Sequence, residues 1–242
     1  MPQTDVWEKE YRNPKLISNS NEPQLDFKHF IKWLRKTAKL ELEGLRVLDL
    51  GSGTGKNSIF LAERGCEVTG MEISETAIAL AEGRANEAGV MCTFLRHSIG
   101  EDFPLRDSEF DIIIDVVSSN SLTEAERTAY IKEVNRVLKP GGYMFVKALC
   151  KDGDKNAQNL LEKFPMNEKD TYIMPETRIV ERVFTKEDIQ NLYSEQEPQL
   201  PTLPHHGFSL YPHWPSSYYT SSEESVLHIR ISSHPHHGYN NQ

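Results

Sequence analysis

At 242 residues with 38% hydrophobic side chains, the chain can form one good-sized domain with appendages or two small domains. Its formal net charge of −9 works against a nucleic-acid partner, because phosphate binding needs clustered Lys and Arg. The chain has neither the features of a signal peptide nor the roughly 18 consecutive apolar residues of a membrane-spanning helix, so it is predicted to be soluble and cytoplasmic. Its three cysteines are predicted to be buried and reduced.

The first half of the chain alternates helical and strand patterns. Apolar residues recur at helical spacing in the helices, and short β-rich runs separate them. Glu72 closes the second strand, Ser74 is suited to cap the helix after it, and Gly65 and Gly89 are suited to end two helices. The predicted elements are a helix over about 25–40, a strand at 46–50, a helix at 57–64, a strand at 67–71, a helix that stops at 89 and a strand at 92–95.

The second half continues the alternation. A continuous Ile/Val run at 110–117 predicts a strand that is buried on both faces. Thr123 and Glu126 form a capping-box pair that opens a helix, which the Lys-Pro-Gly-Gly segment 139–142 is expected to end. A fifth strand at 143–147 and a short helix from about 185 to Tyr193 follow.

This pattern predicts a Rossmann-like α/β fold, in which helices cover both faces of a mostly parallel, doubly wound sheet. We divide the chain into an N-terminal cap and helix (1–40), the main domain (41–194) and a tail (195–242). The tail is rich in His, Pro and Ser and is predicted to be largely disordered, apart from a strand-like run at 226–231. Its histidines lack carboxylate or Cys partners at ligand spacing, so we predict no specific metal site.

The stretch Asp49-Leu50-Gly51-Ser52-Gly53-Thr54-Gly55 follows the first strand and opens a helix. A glycine turn there lets a ligand approach the backbone, and helix N–H groups favour an anionic group. Leu50 stands where the phosphate loop of NTPases needs a glycine, and Asn57 follows the lysine where that loop needs Ser or Thr. Lys56 stands where the dinucleotide fingerprint needs its third glycine, which disfavours NAD.

The remaining pattern, acidic-x-Gly-x-Gly-x-Gly, resembles motif I of the class I S-adenosylmethionine-dependent methyltransferases of the small-molecule type. The resemblance covers about Arg46 to Lys147 and extends more loosely over 7–193, with a Trp-x-x-x-Tyr segment at Trp7–Tyr11. It implies S-adenosylmethionine as the cofactor and methyl transfer as the activity. It also implies a closing antiparallel hairpin after the last helix, for which the tail does not supply two good strands.

Carried over residue by residue, the resemblance assigns nine residues to the cofactor. Asp49 would orient the loop, the three glycines would line the cofactor, and Glu72 would accept hydrogen bonds from the ribose hydroxyls. The other positions would contact the adenine or lie over the methionine end. The full set is Asp49, Gly51, Gly53, Gly55, Glu72, Ile73, Ser98, Ile99 and Asp115.

The acceptor stays unidentified at this level, and so do the catalytic group and the oligomeric state. The fourth strand is followed by Ser118-Ser119-Asn120 and not by the Asn-Pro-Pro-aromatic signature of amino-directed DNA and protein-glutamine methyltransferases. We therefore expect a small-molecule acceptor. Candidate contact residues are Ser118, Ser119, Asn120, Tyr172, Glu176 and Arg178. A non-catalytic protein that binds S-adenosylmethionine or S-adenosylhomocysteine as a sensor is the alternative.

Overall fold

The computed structural model describes residues 3–17 and 20–194. The predictions for the tail, including its disorder, its strand-like run and its histidines, therefore lie outside the described residues. The elements, in chain order, are α1 (Thr4–Arg12), α2 (Leu25–Lys36), β1 (Arg46–Leu50), α3 (Lys56–Ala62), β2 (Glu67–Glu72), α4 (Glu75–Ala88), β3 (Cys92–Arg96), β4 (Phe110–Val116), α5 (Glu124–Val137), β5 (Leu138–Lys147), α6 (Lys155–Lys163), β6 (Thr171–Ile173), β7 (Val180–Arg182) and α7 (Lys186–Ser194).

Five strands form one parallel sheet in the order β3-β2-β1-β4-β5, and β6 and β7 form a separate antiparallel pair. This confirms the predicted Rossmann-like, doubly wound fold. The strand order runs outward in one direction from β1 to β3 and in the other from β4 to β5. The crevice of such a sheet opens where the order reverses, at the carboxyl ends of β1 and β4.

Each face of the sheet has its own apolar core. On one face Ile112 and Ile114 pack with Phe27, Phe30 and other side chains of α2 and α3. On the opposite face Ile113 packs with residues of α5 and α7. Successive residues of a strand point to opposite faces, so the continuous Ile run of β4 supplies both cores. The helix α2 is thus part of the main core, while the predicted domain boundary near residue 40 stays a prediction.

The predicted helix ends follow the chemistry of their capping residues. The Ser74 hydroxyl accepts a hydrogen bond from the backbone N–H of Ala77 (3.1 Å), and Thr123 and Glu126 form the complete capping box. Gly65 and Gly89 have φ values of +85° and +68°, the left-handed conformation that glycine adopts without steric cost. The local signals in the sequence therefore determine these boundaries.

Two predicted boundaries differ from the structure by more than two residues. The helix predicted to reach about residue 40 ends at Lys36. The segment 139–142, predicted to separate α5 from the fifth strand, lies within β5, which starts directly after the helix. Phe110 pairs with Leu138 and Ile112 pairs with Tyr143, so the segment bulges out between the two pairs. The glycines that were expected to make a turn make a strand irregularity.

The helix α6 and the hairpin β6–β7 were not predicted. The two strands are three residues long, too short to carry a period-2 pattern. In the ranges 3–17 and 20–194, no helix is long and apolar enough to cross a membrane. Of the cysteines, Cys66 is buried, as predicted, while Cys92 and Cys150 are only half-buried, and all three are unbridged.

Candidate functional site

The glycine turn after β1 needs glycine for both backbone and space. Gly51, Gly53 and Gly55 have φ values of +66°, +54° and +77°. A Cβ atom on Gly51 would lie 2.2 Å from the Ser118 hydroxyl oxygen, and one on Gly53 would lie 2.7 Å from the Tyr11 hydroxyl oxygen. The turn is therefore packed between the loop after β4 and the N-terminal helix α1, with no room for side chains.

Glu72 joins the end of β2 to the glycine turn. Its carboxylate accepts hydrogen bonds from the backbone N–H groups of Gly53 (2.9 Å), Ile73 (2.8 Å) and Ser74 (2.9 Å). Burial raises the pKa of this carboxyl, and the three N–H groups offset part of that rise. A carboxylate has about four acceptor positions, so one remains for a further donor.

Asp49 lies behind the glycine turn, where it is 1% exposed. It accepts a hydrogen bond from the Ser58 hydroxyl at 2.6 Å. Burial is the main cause that raises the pKa of Asp49 to about 7, and the charges of Asp115 and Glu72 add to the rise. The position suits an indirect electrostatic role toward a cationic ligand better than a direct contact.

Asp115, near the end of β4, is fully buried. It accepts hydrogen bonds from the Tyr130 hydroxyl (2.6 Å) and from the backbone N–H groups of Ser118 (2.9 Å) and Ser119 (3.3 Å). Burial raises its pKa, against the effect of these donors. The carboxyl thus holds the loop after β4 in place.

A cavity of about 390 Å³ opens beside the glycine turn, at the carboxyl ends of β1, β2 and β4. This volume lies within the range of about 300–1,000 Å³ that is typical of small-molecule sites. Six of the nine predicted cofactor residues line the cavity, namely Gly51, Gly53, Glu72, Ile73, Ser98 and Ile99. The other three lie behind the cavity wall, and they are Asp49, Gly55 and Asp115.

The helix α1 covers one side of the cavity, and polar contacts hold it at both ends. The Gln3 amide donates to the backbone carbonyls of Ser121 (2.8 Å) and Val180 (2.7 Å), and it accepts from the Val180 N–H (2.7 Å). At the other end, Glu8 accepts from the hydroxyls of Ser74 (2.6 Å) and Thr76 (2.5 Å). These two donors are the main causes that lower the pKa of Glu8 to about 2.

Between these contacts, the two aromatic residues of the Trp-x-x-x-Tyr segment, Trp7 and Tyr11, line the cavity. Their rings lie 6.2 Å apart. Burial raises the pKa of the Tyr11 hydroxyl well above its usual value, with the nearby carboxyls of Glu72 and Asp49 adding to the effect. The helix therefore acts as an aromatic cover over the cavity, close to the glycine turn.

The predicted acceptor contacts divide into three groups. Ser118 lines the cavity. Ser119 and Asn120 are buried, and the Asn120 amide donates to the Arg182 carbonyl at 2.6 Å. Tyr172 is buried and donates to Glu181 at 2.9 Å. The remaining two, which are Glu176 and Arg178, are exposed and stand apart from the cavity wall.

Several cavity residues were not singled out from the sequence. They come from the segments before α1 and α2, from the loops after β3 and β4 and from β7, where no periodic pattern or motif marks them. The main polar ones are Gln3, Gln24, His97, Ser121 and Glu181. Within the described ranges, no group of three or more His, Cys, Asp or Glu is arranged to hold a metal ion.

Comparisons with known proteins agree with this geometry. Residues 47–142 match a family model described as a methyltransferase domain. The chain is 36% identical over 99 residues to an uncharacterized methyltransferase of Synechocystis sp., covering 41% of this chain and 44% of the relative. It is 33% identical over 141 residues to a ubiquinone biosynthesis O-methyltransferase of Marinobacter nauticus, covering 55% and 58%. The chain thus spans about half the length of these relatives.

The fold has close matches among solved structures. A SAM-dependent methyltransferase from Methanosarcina mazei superposes with a TM-score of 0.63 at 25% identity, covering 80% of this chain and 94% of that chain. The match extends well beyond the segment 47–142, so it includes elements outside the domain that the family model covers.

Proposed function

Since residues 47–142 form a class I S-adenosylmethionine-dependent methyltransferase domain, we propose that the chain transfers the methyl group of S-adenosylmethionine to a small-molecule acceptor. The observation that carries the proposal is the covered cavity at the carboxyl ends of β1 and β4, lined by the glycine turn and Glu72. Its size and its aromatic cover favour a small acceptor over a macromolecule.

The residues of this wall suit the cofactor in chemistry and space. Gly51 and Gly53 line the cavity and carry no side chain, so a ligand can approach the backbone of the turn closely. Glu72 keeps an acceptor position on the carboxylate oxygen that already binds the Gly53 N–H, and this position suits a ribose hydroxyl. Ile73, Ser98 and Ile99 would border the adenine.

When bound, S-adenosylmethionine supplies a methyl group that its sulfonium sulfur already activates. The work left to this chain is to align the acceptor for in-line attack and to exclude water. Trp7 and Tyr11 would exclude water from above, and the loop that Asp115 holds would border the transfer path through Ser118. A general base is needed only if the attacking atom arrives protonated.

The proposal is tested by calorimetric titration of the full chain with S-adenosylmethionine, S-adenosylhomocysteine and NAD, followed by transfer of a labelled methyl group to a metabolite extract. We expect the first two ligands to bind, NAD not to bind, and label to enter a low-molecular-weight fraction. No binding of the first two would overturn the proposal. Binding without any transfer would favour the non-catalytic sensor.

Two glutamates provide a matched pair of variants. Glu72→Ala removes the buried carboxylate at the glycine turn and should weaken S-adenosylmethionine binding by ~1–3 kcal/mol. Glu75→Ala removes a carboxylate three residues away that is 74% exposed and pairs with Arg96 at 2.9 Å. Its effect on binding should be negligible, because exposed ion pairs contribute little. Equal affinities in the two variants would contradict the assignment of Glu72.

A further inference from the structure

Gln24 stands at the residue before α2, in the position that caps the helix. The backbone there is extended (φ −63°, ψ 151°), yet the side chain makes no capping hydrogen bond. The first turn is served instead by Asp26, whose carboxylate accepts from the Phe27 N–H at 2.8 Å. The Gln24 side chain lines the cavity. Its amide is therefore available for a purpose other than helix formation.

Lys147 fixes which way the Gln24 amide points. This lysine ends β5, is 5% exposed, and pairs with the Asp26 carboxylate at 3.2 Å. Its ammonium also donates a hydrogen bond to Gln24 Oε1. An ammonium has donors only, so the opposite orientation would set the amide NH₂ group against a cation. The amide oxygen must face Lys147, and the NH₂ group must face away.

The Gln24 NH₂ group forms no hydrogen bond with any residue in 3–17 or 20–194. An amide nitrogen beside a cavity can be satisfied by a hydrogen-bond acceptor on a ligand. The cavity wall contributed by the N-terminal segment is largely apolar and aromatic, with Trp7, Tyr11 and Ile17. Leu16 lines the cavity while it is 47% exposed, so it stands at the rim.

We infer that Gln24 is a specificity-determining residue that donates its amide N–H to an oxygen of the methyl acceptor. The acceptor is then a molecule with an apolar or aromatic body and a hydrogen-bond-accepting oxygen, such as a carbonyl. Lys147 is a positioning residue that acts through the Gln24 amide. This inference rests on the proposed function, because it names the acceptor class for the same cavity.

Two ring compounds of matched size test the inference. Acetophenone offers only an accepting carbonyl, and benzylammonium offers only donors. Each is titrated by ligand-observed NMR into the full chain saturated with S-adenosylhomocysteine, and the ratio of the two affinities is the readout. The wild-type chain should prefer acetophenone. The near-isosteric variant Gln24→Glu replaces the NH₂ donor by an accepting oxygen, so it should weaken acetophenone binding by about tenfold and strengthen benzylammonium binding.

Variants of Lys147 test its positioning role. Lys147→Met frees the amide to rotate, so the affinity ratio should move toward one, and Lys147→Arg should restore the wild-type preference. A purely structural role for the lysine would leave the ratio unchanged in Lys147→Met. A wild-type chain that binds neither compound, or an unchanged ratio in Gln24→Glu, would overturn the inference.

The affinity for S-adenosylhomocysteine separates this inference from the proposed function. If all variants bind S-adenosylhomocysteine as the wild type does and the ratio does not move, only the role of Gln24 is refuted. If the wild-type chain does not bind S-adenosylhomocysteine, the proposed function fails, and the inference fails with it.

Discussion

Replacing Asp49 by asparagine should change how the stability of the folded chain depends on pH. Burial and the neighbouring carboxyls raise the pKa of this group from 3.8 to about 7 in the folded chain. Between these two values the folded state holds a proton that the unfolded state has released. The free energy of unfolding therefore falls as the pH rises through this window, since stability falls wherever the folded state binds more protons.

The magnitude follows from the pKa difference. Each pKa unit corresponds to about 1.4 kcal/mol, so the shift amounts to about 4 kcal/mol across the full window. Asp115 and Glu72 share in the repulsion, which makes this figure an upper bound. Between pH 5 and pH 8 the contribution of Asp49 alone is about 3 kcal/mol.

The assay is urea unfolding of the wild type and of Asp49→Asn at pH 5, 6, 7 and 8, monitored by circular dichroism. Asparagine has the shape of aspartic acid and can still accept the hydrogen bond of Ser58, but it does not titrate. Any fixed cost of burying its NH₂ group is the same at every pH. The stability of the variant relative to the wild type should therefore rise by about 3 kcal/mol from pH 5 to pH 8 and level off above pH 7.

Contributions from other titrating groups are common to both proteins and largely cancel in the difference. Parallel stability profiles for the two proteins would refute the reasoning, because they would mean that Asp49 ionises in the folded chain at its usual pKa. A difference that grows as the pH falls would also refute it, since this is the behaviour of a carboxyl whose pKa is lowered by folding.

Two further variants, one of them with a matched control, test the cavity wall and its cover. Gly51→Ala should abolish S-adenosylmethionine binding and lower the thermal midpoint of unfolding, because the added Cβ would meet the Ser118 hydroxyl at a φ of +66°. The control Gly83→Ala, at an open site within α4, should instead raise stability by ~1 kcal/mol. Equal thermal midpoints of the two variants in calorimetry would contradict this account. Glu8→Gln should weaken the contact between α1 and Ser74, so S-adenosylhomocysteine should dissociate faster in stopped-flow measurements. An unchanged dissociation rate would show that α1 does not cover the bound ligand.

Much of the fold was predictable because its signals are local. The strands β1 to β4 are short runs that contain apolar or β-branched residues and are bounded by turn residues, and the capping chemistry of Ser74 and Thr123 acts within three residues of each helix start. The region 139–142 shows the limit of such signals. Pro and Gly there indicated a break, but the pairing of β5 with β4 decided that the break would be a bulge within a strand.

The sequence by itself determined the parallel sheet, the glycine turn and the carboxylate that ends β2, since each depends on residue types at short, fixed spacing. Only the tertiary structure decided which of the predicted residues face the cavity and which, like Asp115, stand behind its wall. It also brought Gln24 to Lys147 across 123 residues of chain, a contact that no periodicity records. The raised pKa of Asp49 has the same origin, because burial belongs to the packed fold and not to the residue.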